Sequence, residues 1–193
     1  MVKIESAKYY LEQFKKTLET LDLTDLNSII DLLLKAYKSG NQVFIMGNGG
    51  SAAIASHFAC DLGKGTLKDP YDEKEKRLKV ISLTDNVPLM TAYSNDLAYE
   101  HVFSQQLKNL LNAGDVVIGI SSSGNSKNVL NAIELAKKNK ATTIGFVGFD
   151  GGKLMRLVDY KIWVNKSDYG IVEDTHSVMH HMICAIIRER TKK

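Results

Sequence analysis

The sequence predicts an α/β fold, a three-layer αβα sandwich in which helices cover both faces of a parallel sheet. Short runs rich in Val, Ile and Phe alternate along the chain with longer amphipathic segments. The runs are apolar throughout, which is typical of strands buried on both faces of a parallel sheet. Strand–helix alternation of this kind indicates a sheet with helices on either side.

Two amphipathic helices are predicted before the first strand, over residues 2–20 and 24–39, because apolar residues recur there at helical spacing. Gly40 is expected to end the second helix. A helical pair in this place packs on the sheet or on a partner subunit. We therefore interpret the chain as one domain, with residues 1–40 as an oligomerisation element and residues 41–193 as the α/β core.

The core is predicted to hold five strands and five helices. The strands cover residues 42–46, 78–83, 116–120, 142–147 and 160–164. The helices cover residues 51–62, 86–94, 99–111, 126–139 and 171–190. Asp85 or Asn86 can cap the helix that holds Pro88 in its first turn, where proline is tolerated.

Composition excludes several classes of protein. The chain has 193 residues, 44% hydrophobic and 24% charged, with a net charge of +3. This charge is too small to indicate a nucleic-acid partner. The two cysteines form no disulfide framework, no run approaches the roughly 20 apolar residues of a membrane span, and the N-terminus lacks a signal pattern. We expect a cytoplasmic protein with no nucleic-acid or membrane partner.

A glycine turn, residues 47–51 (Gly-Asn-Gly-Gly-Ser), follows the first predicted strand and opens a helix. Gly49 and Gly50 let backbone amides approach an anion, and the positive end of the helix points at the same place. His57 and Asp61 follow on one face of that helix, four residues apart. The segment indicates a site for a small phosphorylated or acidic molecule.

A serine loop, residues 121–126 (Ser-Ser-Ser-Gly-Asn-Ser), likewise follows a strand and precedes a helix. Its four hydroxyls and its amides suit the oxygens of a phosphate group. The alternative is a turn in which Ser126 only caps its helix. Neither loop has the pattern of a nucleotide-binding P-loop or of a dinucleotide-binding turn, so a nucleotide is not the first expectation.

The last predicted helix concentrates polar residues that can bind a metal ion. Helical spacing puts Glu173, His176 and His180 on one side, with His181 rotated by about 100° from His180. Periodicity alone does not choose between His180 and His181. Two histidines with carboxylates suit Zn²⁺ or a similar ion. The alternative is an exposed polar face opposite an apolar stripe.

Together these motifs resemble the sugar isomerase (SIS) domain family, and most of all its phosphoheptose isomerases. The resemblance runs over nearly the whole chain and also includes the segment from Asn95 and Asp96 to Phe103, which alone reads equally well as a capped turn. It implies a flavodoxin-like five-stranded parallel sheet and a homotetramer with the active site where subunits meet.

The same resemblance implies roles for individual residues. The phosphate of the substrate would be held by Ser121, Ser122, Ser123 and Ser126. The sugar would contact Asn48, Gly49, Gly50, Ser51, Asn95 and Asp96. Zinc would be held by His57, Asp61, Glu173 and His181, where the spacing from residue 173 favours His181 over its neighbour. Catalysis would depend on Asp61, Glu173 and His181, although the family has Glu in place of Asp61 and Gln in place of Glu173.

The activity that the resemblance implies is aldose–ketose isomerisation of a sugar phosphate through an enediol. The expected reaction converts sedoheptulose 7-phosphate to D-glycero-D-manno-heptose 7-phosphate. Two alternatives stay open at this point. One is a non-catalytic SIS module that binds a replication initiator or senses sugar phosphates, and the other is an isomerase of a related sugar phosphate.

Overall fold

A five-stranded parallel sheet forms the centre of the computed structural model, which describes residues 6–191. The strands are β1 (Gln42–Gly47), β2 (Lys79–Ser82), β3 (Val116–Ser121), β4 (Thr142–Val147) and β5 (Tyr160–Trp163). Their order in the sheet is β2-β1-β3-β4-β5. All four pairings are parallel, so the prediction of five parallel strands is confirmed.

Helices cover both faces of this sheet, which confirms the three-layer sandwich. They are α1 (Ala7–Glu19), α2 (Thr24–Ser39), α3 (Gly50–Cys60), α4 (Val87–Asp96), α5 (Val102–Leu110), α6 (Lys127–Lys138), α7 (Leu154–Leu157) and α8 (Tyr169–Thr191). One hydrophobic core joins α2, α3 and α8 to the sheet. The other core joins α5, α6 and α7 to the opposite face, with α4 at its edge. The short helix α7 was absent from the sequence prediction.

The helix ends follow local chemistry. Gly40 ends α2 in the left-handed conformation with φ of 74°, as predicted. At the start of α2, the Asp22 carboxylate accepts hydrogen bonds from the amide and the hydroxyl of Thr24. Of the two candidate caps of α4, Asn86 caps it, because its Oδ1 accepts from the amide of Leu89 at 3.1 Å.

The helix α3 changes its winding where the sequence predicts one continuous helix. Its α-helical part ends at Cys60, and Asp61–Gly65 forms one turn of π-helix. Two of these five residues are glycines, which hold an α-helix weakly. The hydroxyl of Thr66 donates to the carbonyl of Leu62 at 2.7 Å and closes the turn. Asp61 therefore lies where the regular helix stops, and π-turns of this kind are frequent at functional sites.

The first helix is joined to the last one by a polar contact. The phenol of Tyr10 donates to Oδ2 of Asp174 at 2.5 Å, and the pKa of Tyr10 rises because of burial and this hydrogen bond. Within residues 6–191, no helix has the length and apolar character needed to cross a membrane. The division of the chain at residue 40, with an oligomerising first part, stays a prediction.

A buried histidine, His176, lies in the middle of α8. Its side chain is fully buried, and its Nε2 lies 3.2 Å from the carbonyl oxygen of Val147 at the end of β4. Its ring packs edge-on against Phe146, with 5.6 Å between the ring centres. Burial lowers the pKa of His176 to about 4, and the hydrogen bond to Val147 offsets only part of that effect.

We predict that His176 makes the protein less stable as the pH falls. The unfolded histidine binds a proton near pH 6.5 and the folded one only near pH 4, so stability is complete above about 6.5 and is lost below it. Between pH 6 and 4.5 this one group should lower the free energy of unfolding by about 2 kcal/mol. Urea unfolding at several pH values measures the effect.

The variant His176→Gln should have a shallower dependence of stability on pH than the wild type over this range. His101 is only partly buried, so His101→Gln is the matched control and should keep the wild-type slope. Equal slopes in His176→Gln and the wild type would contradict the prediction.

Candidate active site

Two loops lie side by side at the carboxyl edge of the sheet, the place where parallel α/β sheets bind ligands. The glycine turn follows β1 and the serine loop follows β3, and these two strands are neighbours. Gly49 has a φ of 55° and precedes α3 without any side-chain cap. An anion could meet the amides that open α3 at Gly50 and Ser51, and the anion site stays a prediction.

A pair of asparagines joins the two loops. Asn48 in the glycine turn donates through Nδ2 to Oδ1 of Asn128 at 2.9 Å, and Asn128 donates back to Oδ1 of Asn48 at 2.8 Å. The phenol of Tyr99 also donates to Oδ1 of Asn48, at 2.8 Å. Because two donors occupy this oxygen, Asn48 can offer a ligand only its remaining N–H.

The hydroxyls of the serine loop are not used as helix caps. Ser126 precedes α6 but makes no capping hydrogen bond with its side chain; its Oγ lies 3.0 Å from Oγ of Ser121. The hydroxyl of Ser122 is buried and has no hydrogen-bond partner. An unpartnered buried hydroxyl calls for an explanation, and a bound anion would supply one. The reading of Ser126 as only a cap is therefore not supported.

The serine loop is held in place by the segment that follows β4. Gly124 has a φ of 63°, and any side chain there would overlap the carbonyl of Gly151. The carbonyl of Gly124 accepts from the amide of Leu154 at 2.9 Å. Asn125 adds two bonds, from its Nδ2 to the carbonyl of Ser123 and from the amide of Lys153 to its Oδ1. Hydrogen bonds from neighbouring segments thus hold the loop in this conformation without a ligand.

A cavity of about 460 Å³ opens between the two loops and the segment after α4. Its lining includes Asn48, Ala98, Tyr99, Glu100, Ser126 and Asn128. Asn95 and Asp96, predicted to contact the sugar, lie at the end of α4, and the hydrogen bond they make is with each other, at 3.0 Å. The side chain of this segment that reaches the glycine turn is that of Tyr99, which the sequence reasoning did not select.

The carboxylate of Glu173 packs against the glycine turn. A methyl group added to Gly50 would overlap it, so glycine is required for this approach. The preceding residue, Val172, lies against Gly148, whose amide donates to the carbonyl of Ser122 at 2.8 Å. The start of α8 thus touches the glycine turn and the segment that supports the serine loop. Partial burial, with a smaller contribution from Asp174, raises the pKa of Glu173.

A second group of polar side chains lies farther along α3 and α8. It comprises His57, Asp61, His180 and His181, and one ligand atom from each lies within 4.8 Å of the others. The Nε2 atoms of the three histidines are 3.5, 3.5 and 3.6 Å from Oδ2 of Asp61. Three imidazoles and a carboxylate form a donor set that suits Zn²⁺ and related divalent ions, so these residues could hold a metal ion.

This metal-binding group differs from the predicted one in two ways. The sequence reasoning selected His181 in place of His180, whereas both histidines reach Asp61. Glu173, which was expected to be the fourth ligand, lies outside the group. It precedes His180 by seven residues, which corresponds to about 10 Å along the helix axis. Within one chain, the predicted site residues therefore form two clusters.

His180 is the one buried histidine of this metal-binding group. Its side chain has no exposed surface, and burial together with the neighbouring rings of His181 and His57 lowers its pKa to about 4. It is therefore neutral at pH 7, as a metal ligand must be. His57 and His181 are half exposed, at 54% each, so the metal-binding group is open to solvent on one side.

Asn128 was also missed by the sequence reasoning, although a buried amide in the first turn of α6 was a usable signal. Its replacement by Ala should lower the free energy of unfolding by about 1–3 kcal/mol, because Nδ2 of Asn48 loses its partner in a partly buried place and Oδ1 keeps only the bond from Tyr99. Urea unfolding measures this loss. Asn131→Ala, which removes one hydrogen bond to the Glu100 carbonyl from the same helix, is the control and should cost less. A larger loss for Asn131→Ala would contradict the prediction.

Comparison with known proteins agrees with the fold. The family model described as "SIS domain" matches residues 5–148. A phosphoheptose isomerase of Helicobacter pylori is 40% identical over 176 residues, covering 91% of this chain and 88% of that protein. A phosphoheptose isomerase of Aliarcobacter butzleri is 38% identical over 176 residues, covering 91% and 90%.

Among solved structures, phosphoheptose isomerase GmhA from Neisseria gonorrhoeae superimposes with a TM-score of 0.83 at 30% identity, covering 94% of this chain and 95% of that one. Each of these matches covers at least 91% of this chain and at least 88% of the other protein. The chain belongs to the SIS domain family, among the phosphoheptose isomerases.

Proposed function

We propose that this protein is an aldose–ketose isomerase that converts sedoheptulose 7-phosphate to D-glycero-D-manno-heptose 7-phosphate. One observation carries the proposal: a half-buried carboxylate with a raised pKa, that of Glu173, lies at the same sheet edge as a loop suited to phosphate. The names of the relatives supply the sugar phosphate and the reaction.

The phosphate of the substrate is assigned to the serine loop. Ser121, Ser122, Ser123 and Ser126 supply hydroxyl donors in front of the N-terminus of α6, and the positive end of that helix favours the dianion. The buried hydroxyl of Ser122 gains the partner that it lacks in the protein alone. Because Gly124 and Asn125 fix the loop beforehand, little ordering is needed when the phosphate binds.

Glu173 is assigned the role of the base. It removes a proton from C1 of the open-chain ketose, the C–H electrons form the C1–C2 double bond, and the C2 carbonyl oxygen takes up a proton to give the enediol. The C1 hydroxyl then loses its proton to become the aldehyde, and a proton is returned at C2 to give the aldose. A raised pKa suits a group that must both accept and release a proton near neutral pH. Asn48, through its free N–H, and the amides of the glycine turn at Gly49, Gly50 and Ser51 orient the sugar oxygens.

The metal ion is assigned to the other cluster. We propose that His57, Asp61 and His181 bind a divalent ion, with zinc as the ion that fits a set of imidazoles and a carboxylate. When bound, such an ion stabilises negative charge that develops on a substrate oxygen. Asp61 is then a ligand and not the base, because three imidazoles already surround its Oδ2.

A homotetramer is part of the proposal, with each site completed by a second copy of the chain. The two clusters are about 10 Å apart along α8 in one chain, and a neighbouring copy can bring one next to the other. Asn95 and Asp96 remain assigned to the sugar on the resemblance alone. We propose a cytoplasmic location for the enzyme, where phosphorylated sugars are kept.

The proposal predicts turnover of sedoheptulose 7-phosphate by the purified protein, followed by NMR in deuterated water. The product should carry deuterium at C2, because the enediol is protonated there after exchange with solvent. Glu173→Gln should lower kcat by about 10²–10⁴-fold, since it removes the general base and keeps the shape of the side chain.

The control is Glu134→Gln, a carboxylate on the outer face of α6 away from both clusters, which should keep the wild-type rate. If the wild-type protein, folded and tetrameric, leaves the sugar unchanged with and without zinc, the isomerase assignment fails. Binding of the sugar phosphate without turnover would then favour a sensing module.

The phosphate assignment makes a separate prediction. Ser122→Ala should raise KM by about 10–100-fold with little change in kcat, because a hydrogen bond to a charged group contributes about 1.5–3 kcal/mol. Steady-state kinetics on sedoheptulose 7-phosphate measure both constants. Ser104→Ala, which removes another buried hydroxyl, on α5, is the control and should leave KM unchanged. An unchanged KM in Ser122→Ala would remove this serine from the phosphate site.

A further inference from the structure

We propose that His180 is a direct ligand of the divalent ion, so that a single chain holds the ion with His57, Asp61, His180 and His181. The inference rests on the proposed function only in that it assumes an ion at this cluster. It changes the ligand set that the family resemblance implies, because Glu173 of the same chain has no part in it. It also assigns a role to a side chain that the proposed reaction does not otherwise use.

The burial of His180 is the first reason. Its side chain is completely inaccessible, yet neither ring nitrogen has a hydrogen-bond partner among the described residues. Its Nε2 points into the cluster, 3.5 Å from Oδ2 of Asp61, which is too long for a good hydrogen bond. A buried polar group without a partner costs about 1–3 kcal/mol, and a metal ion at Nε2 would remove part of that cost.

The spacing of the ligand atoms is the second reason. Around a tetrahedral zinc ion with bonds of about 2.0–2.2 Å, ligand atoms lie about 3.3–3.6 Å from one another. The three Nε2 atoms are 3.5, 3.5 and 3.6 Å from Oδ2 of Asp61, and all four ligand atoms fall within 4.8 Å. The three distances from Asp61 are longer than good hydrogen bonds and match the spacing of ligand atoms around a shared cation.

Another histidine of the same helix shows what a purely structural role looks like. His176 lies one turn before His180 and is equally buried, but its Nε2 reaches the carbonyl oxygen of Val147 at 3.2 Å. The ring of His180 has instead the rings of His57 and His181 as neighbours, at 4.8 and 4.1 Å between ring centres. Its Nε2 lies near Asp61 of the metal-binding group, and it makes no hydrogen bond with the backbone of the described residues.

The position of Glu173 is the third reason. Seven residues along α8 separate it from His180, about 10 Å along the axis, and its carboxylate packs on Gly50 at the opposite end of α3. A side chain so placed does not reach an ion shared by His57 and Asp61 of its own chain. With His180 as the fourth ligand, Glu173 stays free to move a proton.

The test is the affinity for Zn²⁺ alone, measured on the full-length protein by competition with a chromophoric chelator. His180→Phe keeps the ring packing on Phe58 and should weaken Zn²⁺ binding by at least 10-fold. Glu173→Gln should bind Zn²⁺ as tightly as the wild type. His101→Phe, on the surface outside the cluster, is the matched control and should also keep the wild-type affinity.

A second measurement does not depend on whether His180→Phe folds. In the wild-type protein loaded with Co²⁺, proton NMR should show paramagnetically shifted signals from three imidazole rings. Two shifted rings would overturn the proposal. So would weaker Zn²⁺ binding in Glu173→Gln with unchanged binding in a folded His180→Phe. If three rings bind the ion and Glu173→Gln keeps the wild-type affinity for Zn²⁺, but the protein does not turn over the sugar phosphate, only the proposed function fails.

Discussion

The start of α8 can lie against the carboxyl ends of the strands only because two residues there lack side chains, and the candidate site depends on this close approach. A methyl group at Gly50 would overlap the Glu173 carboxylate, and one at Gly148 would lie 2.6 Å from a methyl of Val172. With both positions kept as glycine, the last helix touches the glycine turn and the segment that supports the serine loop. A carboxylate from the end of the chain thus reaches loops formed much earlier in the sequence.

The same packing of α3 against α8 brings together the second cluster. His57 and Asp61 lie on one helix and His180 and His181 on the other, and the apolar residues of both helices share one core. Since this core fixes how the helices lie side by side, it also fixes the distances among the four ligand atoms. The π-turn that begins at Asp61 ends the regular helix at this cluster.

Hydrogen bonds between polar side chains join the two loops. Asn48 and Asn128 exchange two hydrogen bonds, and Tyr99 adds a third, so the glycine turn is fixed to the start of α6. Each loop has further bonds of its own, such as that between Ser121 and Ser126. A site built in this way is already arranged before a ligand arrives, which lowers the cost of binding.

The sequence by itself determined the fold class and the position of both loops. Apolar strands and amphipathic helices alternate in a pattern with few alternatives, and glycines and serines directly after strands fix where the turns lie. Gly40 and Asn86 act as predicted because helix ends depend on local chemistry. The pairing of His57 with Asp61 could also be predicted, because it follows from their spacing along one helix.

Only the tertiary structure decided which polar residues meet. Periodicity could not separate His180 from His181, because the choice depends on how α8 is rotated against α3, and in this packing both reach Asp61. Glu173 lies outside the expected metal-binding group because seven residues of α8, about 10 Å along the helix axis, separate it from His180. Asn128 holds the glycine turn through its hydrogen bonds with Asn48, which lies 80 residues earlier in the chain. Contacts of this kind depend on the packing of whole elements, which no local pattern in the sequence specifies.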